Sequence, residues 1–126
     1  MQLAPPIEIW TFEGKYGAAV VTSGGGDEQP IAEFMNHFLI TTGVVPVGSV
    51  WATMGTLVGD EFPVEIQEQA LPLGAKVVSA WQNKERPAEV DQSMRAFSQR
   101  MAYLMRYRKD QWPYEYAYWV EHRGLK

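Results

Sequence analysis

Cysteine is absent from the 126 residues of this chain. Its absence excludes disulfides, cysteine nucleophiles and zinc or iron–sulfur centres held by thiolates. Histidine occurs twice, as His37 and His122, too far apart in sequence to suggest a metal pair. His37 lies beside an apolar helical stripe, where a hydrogen-bonded structural role is expected, and His122 between Glu121 and Arg123 reads as solvated. Lys and Arg number 11 against 15 Asp and Glu, a net charge of -4, so nothing draws the whole chain to nucleic acid or anionic lipid. No apolar run approaches the ~18 residues a bilayer requires, and the N-terminus has no basic stretch followed by an apolar one. These absences predict a cytoplasmic protein with neither membrane nor nucleic acid as partner.

What is present suits one ordinary domain spanning residues 1–126, with 46% hydrophobic and 13% aromatic residues. The organising stretch is Lys15 to Trp51, which reads as strand, Gly-rich turn, amphipathic helix and second strand, the grammar of a βαβ crossover. Ala18, Ala19, Val20 and Val21 form an apolar run bounded by Gly17 and Thr22-Ser23-Gly24, as in a strand buried on both faces of a parallel sheet. Asp27 is placed to cap the helix with its carboxylate, Pro30 suits its first turn, and Gly43 its C-terminus. Ile31, Phe34, Met35, Phe38 and Leu39 make a stripe expected to face the sheet. Val44 to Trp51 is the second strand, its early part expected at an edge or outside the ladder because of Pro46.

Upstream, Pro5-Pro6 followed by Ile7, Ile9 and Thr11 reads as a short extended segment or a loop. Gly14-Lys15 is not a phosphate loop, since the earlier glycine and the following Ser or Thr are missing. Ala52 to Asp60 reads as a loop. Pro63 opens a helix with Ile66, Ala70, Leu73, Val77 and Trp81 on one face, which Pro72 should kink or divide.

Residues 87–126 read as a helical C-terminal extension. Val90, Met94, Phe97, Met101 and Leu104 give a narrow seam; Glu89 and Asp91 near its start and Arg106, Arg108 and Lys109 near its end match the helix dipole. The basic cluster also has a phosphate-patch reading, against which the dipole account is preferred. A last short helix is expected from Pro113. Its Trp112, Tyr114, Tyr116, Tyr118 and Trp119 form either a clamp onto the domain or a neighbour, or a platform for stacking flat ligands or bases.

The corner Thr22-Ser23-Gly24-Gly25-Gly26 sits where open α/β sheets bind ligands, beyond the carboxyl end of a strand. Three glycines let backbone approach a flat ligand and aim N–H groups at it; they equally serve a merely flexible turn.

Residues 14–51, GKYGAAVVTSGGGDEQPIAEFMNHFLITTGVVPVGSVW, together with the terminal WPYEYAYWVEHRG, resemble the C-terminal half of the flavodoxin-like family that includes NAD(P)H-dependent FMN reductases. The resemblance implies an α/β fold with a partial parallel sheet flanked by helices, and FMN as cofactor with NAD(P)H as reductant. It implies Thr22, Ser23, Gly24, Gly25, Gly26, Asp27 and Glu28 as contacts of the isoalloxazine ring, whose backbone N–H groups would favour charge gathering on the reduced ring. The family's first three strands and its phosphate loop have no counterpart here, so completion by a second copy or by a partner chain supplying the N-terminal half is expected. The competing reading is a non-catalytic assembly module whose glycine corner is only a turn. Single-stranded nucleic acid on the aromatic tail is a third reading, opposed by the acidic charge.

Overall fold

A computed structural model describes residues 12–126. The extended segment or loop considered around Pro5 to Thr11 lies outside the described residues. Two parallel strands, β1 (Tyr16–Ser23) and β2 (Val45–Thr53), are joined by α1 (Glu28–Thr42). A turn of 3-10 helix at Met54–Thr56 leads to α2 (Val64–Asn83), α3 (Ala88–Tyr107) and α4 (Pro113–Arg123). The result is α/β, a two-stranded parallel sheet flanked by helices.

The alternation of β1 shows how the layers form. Ala19 and Val21 are buried against Ala32 of α1, while Val20, pointing the other way, is 66% exposed. β2 is sheathed more fully: Val45, Val47, Val50 and Ala52 are all buried. Pro46 stands within the ladder, opposite Gly17, on a strand with a single neighbour among the described residues. The next matched pair is Ala19 with Ser49, so β2 holds one extra residue there. Gly48, at φ 147°, takes up this bulge, and a Cβ on it would come within 3.1 Å of Leu73 on α2. The second strand therefore runs two residues beyond Trp51 into the stretch expected to be loop.

α1 ends in a Schellman motif: the Gly43 N–H donates to the Ile40 carbonyl at 3.1 Å and the Val44 N–H to the Leu39 carbonyl at 2.9 Å. Gly43 sits at φ 93°, and Gly43→Ala is expected to cost about 1 kcal/mol in urea unfolding. The stripe assigned to the sheet is corrected by the structure. Ala32 and Leu39 lie toward the strands, whereas Phe34 and Phe38 are 71% and 60% exposed, because that flank overhangs β1 where no further strand lies among the described residues. His37 is exposed as well.

Pro72 does not divide α2, which runs unbroken through it, and Ala70 and Trp81 of its assigned face are exposed. Missing one backbone donor is tolerated where the neighbouring turn is open to water. The α3 seam is buried or half-buried throughout, with Val90 and Met94 against Val45, Tyr16 and Ile40. The first half of the 87–126 segment thus completes the same core. Arg86 and Arg95 both pair with Asp91, at 2.9 and 2.7 Å, bracing its start. At its end Arg106 donates to the Lys126 carbonyl at 3.0 Å and Arg108 to Gln111. α4 begins at Pro113 and lays Trp119 against Met105 and Leu125. His122 is exposed, as expected, and its ring also stacks on Tyr118 at 4.5 Å. No helix among the described residues is long and apolar enough to cross a membrane.

Candidate functional site at the glycine corner

Parallel strands end on the same rim, and here Ser23 and Thr53 face each other across it. The chain turns through Gly24, Gly25, Gly26 and Asp27 before Glu28 opens α1. The corner predicted from sequence is therefore at the carboxyl rim of the sheet.

Its internal bonding is specific. Ser23 Oγ accepts from the Gly26 N–H at 3.0 Å and more weakly from the Gly25 N–H at 3.4 Å. The single serine proton faces the Glu28 carboxylate and the Gly26 carbonyl, and the charged acceptor is the stronger. Thr53 Oγ1 donates to the same Glu28 oxygen at 2.7 Å. Glu28, 7% exposed, thus ties the end of β1 and the end of β2 to the start of α1. The Ser23 hydroxyl, then that of Thr53, and the residue's own backbone N–H hold its carboxyl below the usual glutamate range, against the opposing effect of burial.

Asp27 does not cap α1 as its position in the sequence suggested. It adopts φ 64°, where a side-chain cap needs extended backbone, and no side-chain capping bond forms. Gly26, at φ 117°, delivers the chain into that turn, and Glu28 supplies the negative charge at the helix start instead.

The seven residues assigned to the ring thus divide. Ser23 and Glu28 turn inward and fix the corner's shape. Gly24, Gly25 and Asp27 are exposed, Gly26 is half-buried, and a Cβ built on any of the three glycines meets nothing within 4 Å. Thr22 is exposed and borders a separate apolar groove of about 230 Å³ between the sheet and α2, with Val20, Trp51, Phe62 and Ile66 among its walls. Sequence reasoning missed Thr53. Its only signal was a hydroxyl residue two positions past the expected end of the second strand, which becomes a partner only once the longer strand and its register are known.

No protein-family model matches the chain, and no solved structure matches it. A curated relative, the iron–sulfur flavoprotein of Archaeoglobus fulgidus, is 31% identical over 98 residues, 77% of this chain and 44% of that protein. The chain spans less than half the length of this relative. The likeness is thus to a flavoprotein, and the observed sheet is compatible with a flavodoxin-like fold. A chain with no cysteine cannot itself hold a thiolate-ligated cluster.

Proposed function

We propose that the glycine corner is the ring-contacting part of a flavin site, in a polypeptide of NAD(P)H-dependent, FMN-using oxidoreductase type. The likeness to a flavoprotein supports the cofactor class. The observation that carries the reading is the open backbone of Gly24 and Gly25 at the strand rim, held in place from behind by Glu28. The open space around Gly24 and Gly25 leaves room for the flat ring end of FMN. Its phosphate end finds no cation there, because residues 22–28 hold no Lys or Arg and the exposed side chain beside the glycines is the carboxylate of Asp27. An anchor for the phosphate would have to come from outside this corner. When bound, the flavin would supply the hydride chemistry; the corner would orient the ring through exposed backbone and keep its own shape through the Ser23–Glu28–Thr53 bonds.

Titration followed by quenching of flavin fluorescence tests this. FMN and riboflavin are expected to bind with affinities within about threefold of each other, because the phosphate has no partner. Gly24→Val should abolish both without unfolding the chain, since its side chain points into open space. Anaerobic addition of NADPH should then bleach the bound flavin.

One observation favours the competing assembly-module reading: the Gly25 and Gly26 N–H groups are directed at Ser23 Oγ and not outward. Folded protein that quenches neither flavin would count against ring binding by this corner on its own and favour that second reading.

A further inference from the structure

The last turn of α1 borders an apolar cleft of about 440 Å³ that α1 shares with α3 and α4. Glu115 and Trp119 lie four residues apart on one face of α4 and line it together with Trp112, opposite Phe97 of α3 and Phe38 of α1. The Glu115 carboxylate is the one charged group among these walls; it is half-buried and has no ion pair among the described residues. None of the arginines of α3 and α4 lines the cleft: Arg100 lies over the Phe97 ring at 5.6 Å, Arg106 donates to the Lys126 carbonyl, and Arg123 pairs with Glu13 at 3.6 Å. Two further features carry the same sign as Glu115. Thr41 Oγ1 donates to the Phe38 carbonyl and Thr42 Oγ1 to that of Leu39, both at 2.8 Å, so each hydroxyl has only acceptor capacity left. α1 also ends here with no basic residue in its last turn to offset the negative end of its dipole.

We propose that this cleft binds a small organic cation with an aromatic or alkyl body, its ammonium group held by Glu115 and its body against the aromatic walls. Charge complementarity selects the sign. A neutral apolar ligand would strip water from the carboxylate and give nothing in return, and an anion would meet a carboxylate, two hydroxyl acceptors and the negative end of a helix. A cation satisfies Glu115, and the faces of the surrounding rings attract it further. The volume is within the range of small-molecule sites, and apolar walls with a few convergent polar groups are their usual composition. The site does not depend on the flavin reading, since the glycine corner is at the other end of α1, and it is measured without flavin present.

Phenethylammonium and 3-phenylpropionate, similar in size and opposite in charge, are suitable probes for the full-length chain. Titration followed by nitrogen-15 NMR should shift the indole N–H signals of Trp112 and Trp119 with phenethylammonium, and the carboxylate probe should bind at least about tenfold more weakly. Glu115→Gln should lower affinity for phenethylammonium by roughly five- to tenfold and bring the two probes close together, because only the charge has been removed. Phe38→Ala, at a position 60% exposed and outside the core, should weaken phenethylammonium severalfold while the preference for the cation remains. Circular dichroism should show both variants folded. Equal binding of the two probes, or an unchanged affinity in folded Glu115→Gln, overturns the proposal. So does a wild-type chain whose Trp112 and Trp119 signals do not respond, including the case in which residues 1–11 or a second copy of the chain are found to fill the cleft.

Discussion

Replacing Trp119 with alanine is expected to lower stability by about 3–5 kcal/mol. The indole is 4% exposed and closes a cluster with Met105 and Leu125, against which Phe97, Met101, Leu104, Tyr116 and Tyr118 pack. An apolar cleft of about 440 Å³ already borders it, between α1, α3 and α4, so the vacated space would widen this cleft and admit water at an apolar surface. α4 has 11 residues, too few to hold its helix alone, and the Leu125 N–H bond to the Trp119 carbonyl fixes the chain end to the same residue. Loss of the indole should therefore release the helix along with its contacts. Urea unfolding gives the size of the loss, and near-ultraviolet circular dichroism should show the tail aromatics losing their fixed environment. Tyr114→Ala is the control: that ring is exposed, and the change should stay within about 0.5 kcal/mol. A tail built as a stacking platform gives the opposite ranking, with Trp119 dispensable for folding.

The tail shows what was legible before any coordinates. Pro113 as a helix start, the seam through Val90, Met94 and Leu104, and Gly43 as a C-terminal stop are all local statements about periodicity and backbone freedom, and each is found in the fold. The corner's position on the rim was legible for the same reason, since a strand, three glycines and a helix follow one another directly. Which face of α1 meets the sheet was not. Periodicity marks an apolar flank without naming its partner, and Phe34 and Phe38 stay exposed beside β1, while small Ala32 makes the close approach to that strand. Asp27 failed as a cap because Gly26 brings the chain in through left-handed backbone, a geometry invisible in residue type. The strand register, which alone brings Thr53 to Glu28 across 25 residues, was equally hidden, because a bulge at Gly48 shifts it.

That long-range bond gives the corner its own acid dependence. Glu28→Gln is expected to lower the melting temperature by several degrees at neutral pH, because the amide is a weaker acceptor for the two hydroxyls that meet there. The folded carboxyl titrates below its ordinary value of 4.5, chiefly through the Ser23 hydroxyl and then that of Thr53. As pH falls, the unfolded chain therefore takes up this proton first. The stabilisation is fully present above the ordinary glutamate value and is lost as pH falls through the lowered folded value. Melting temperatures of the two proteins should thus differ most at neutral pH and converge in acid, where wild-type Glu28 becomes as neutral as the glutamine. A constant gap across that range would mean that the carboxylate's charge contributes nothing and that the substitution acts through shape alone. Flavin titration divides the consequence further. A corner held by charge-assisted bonds should lose ring affinity in Glu28→Gln even where the chain remains folded, although Glu28 is turned away from the open backbone of Gly24 and Gly25.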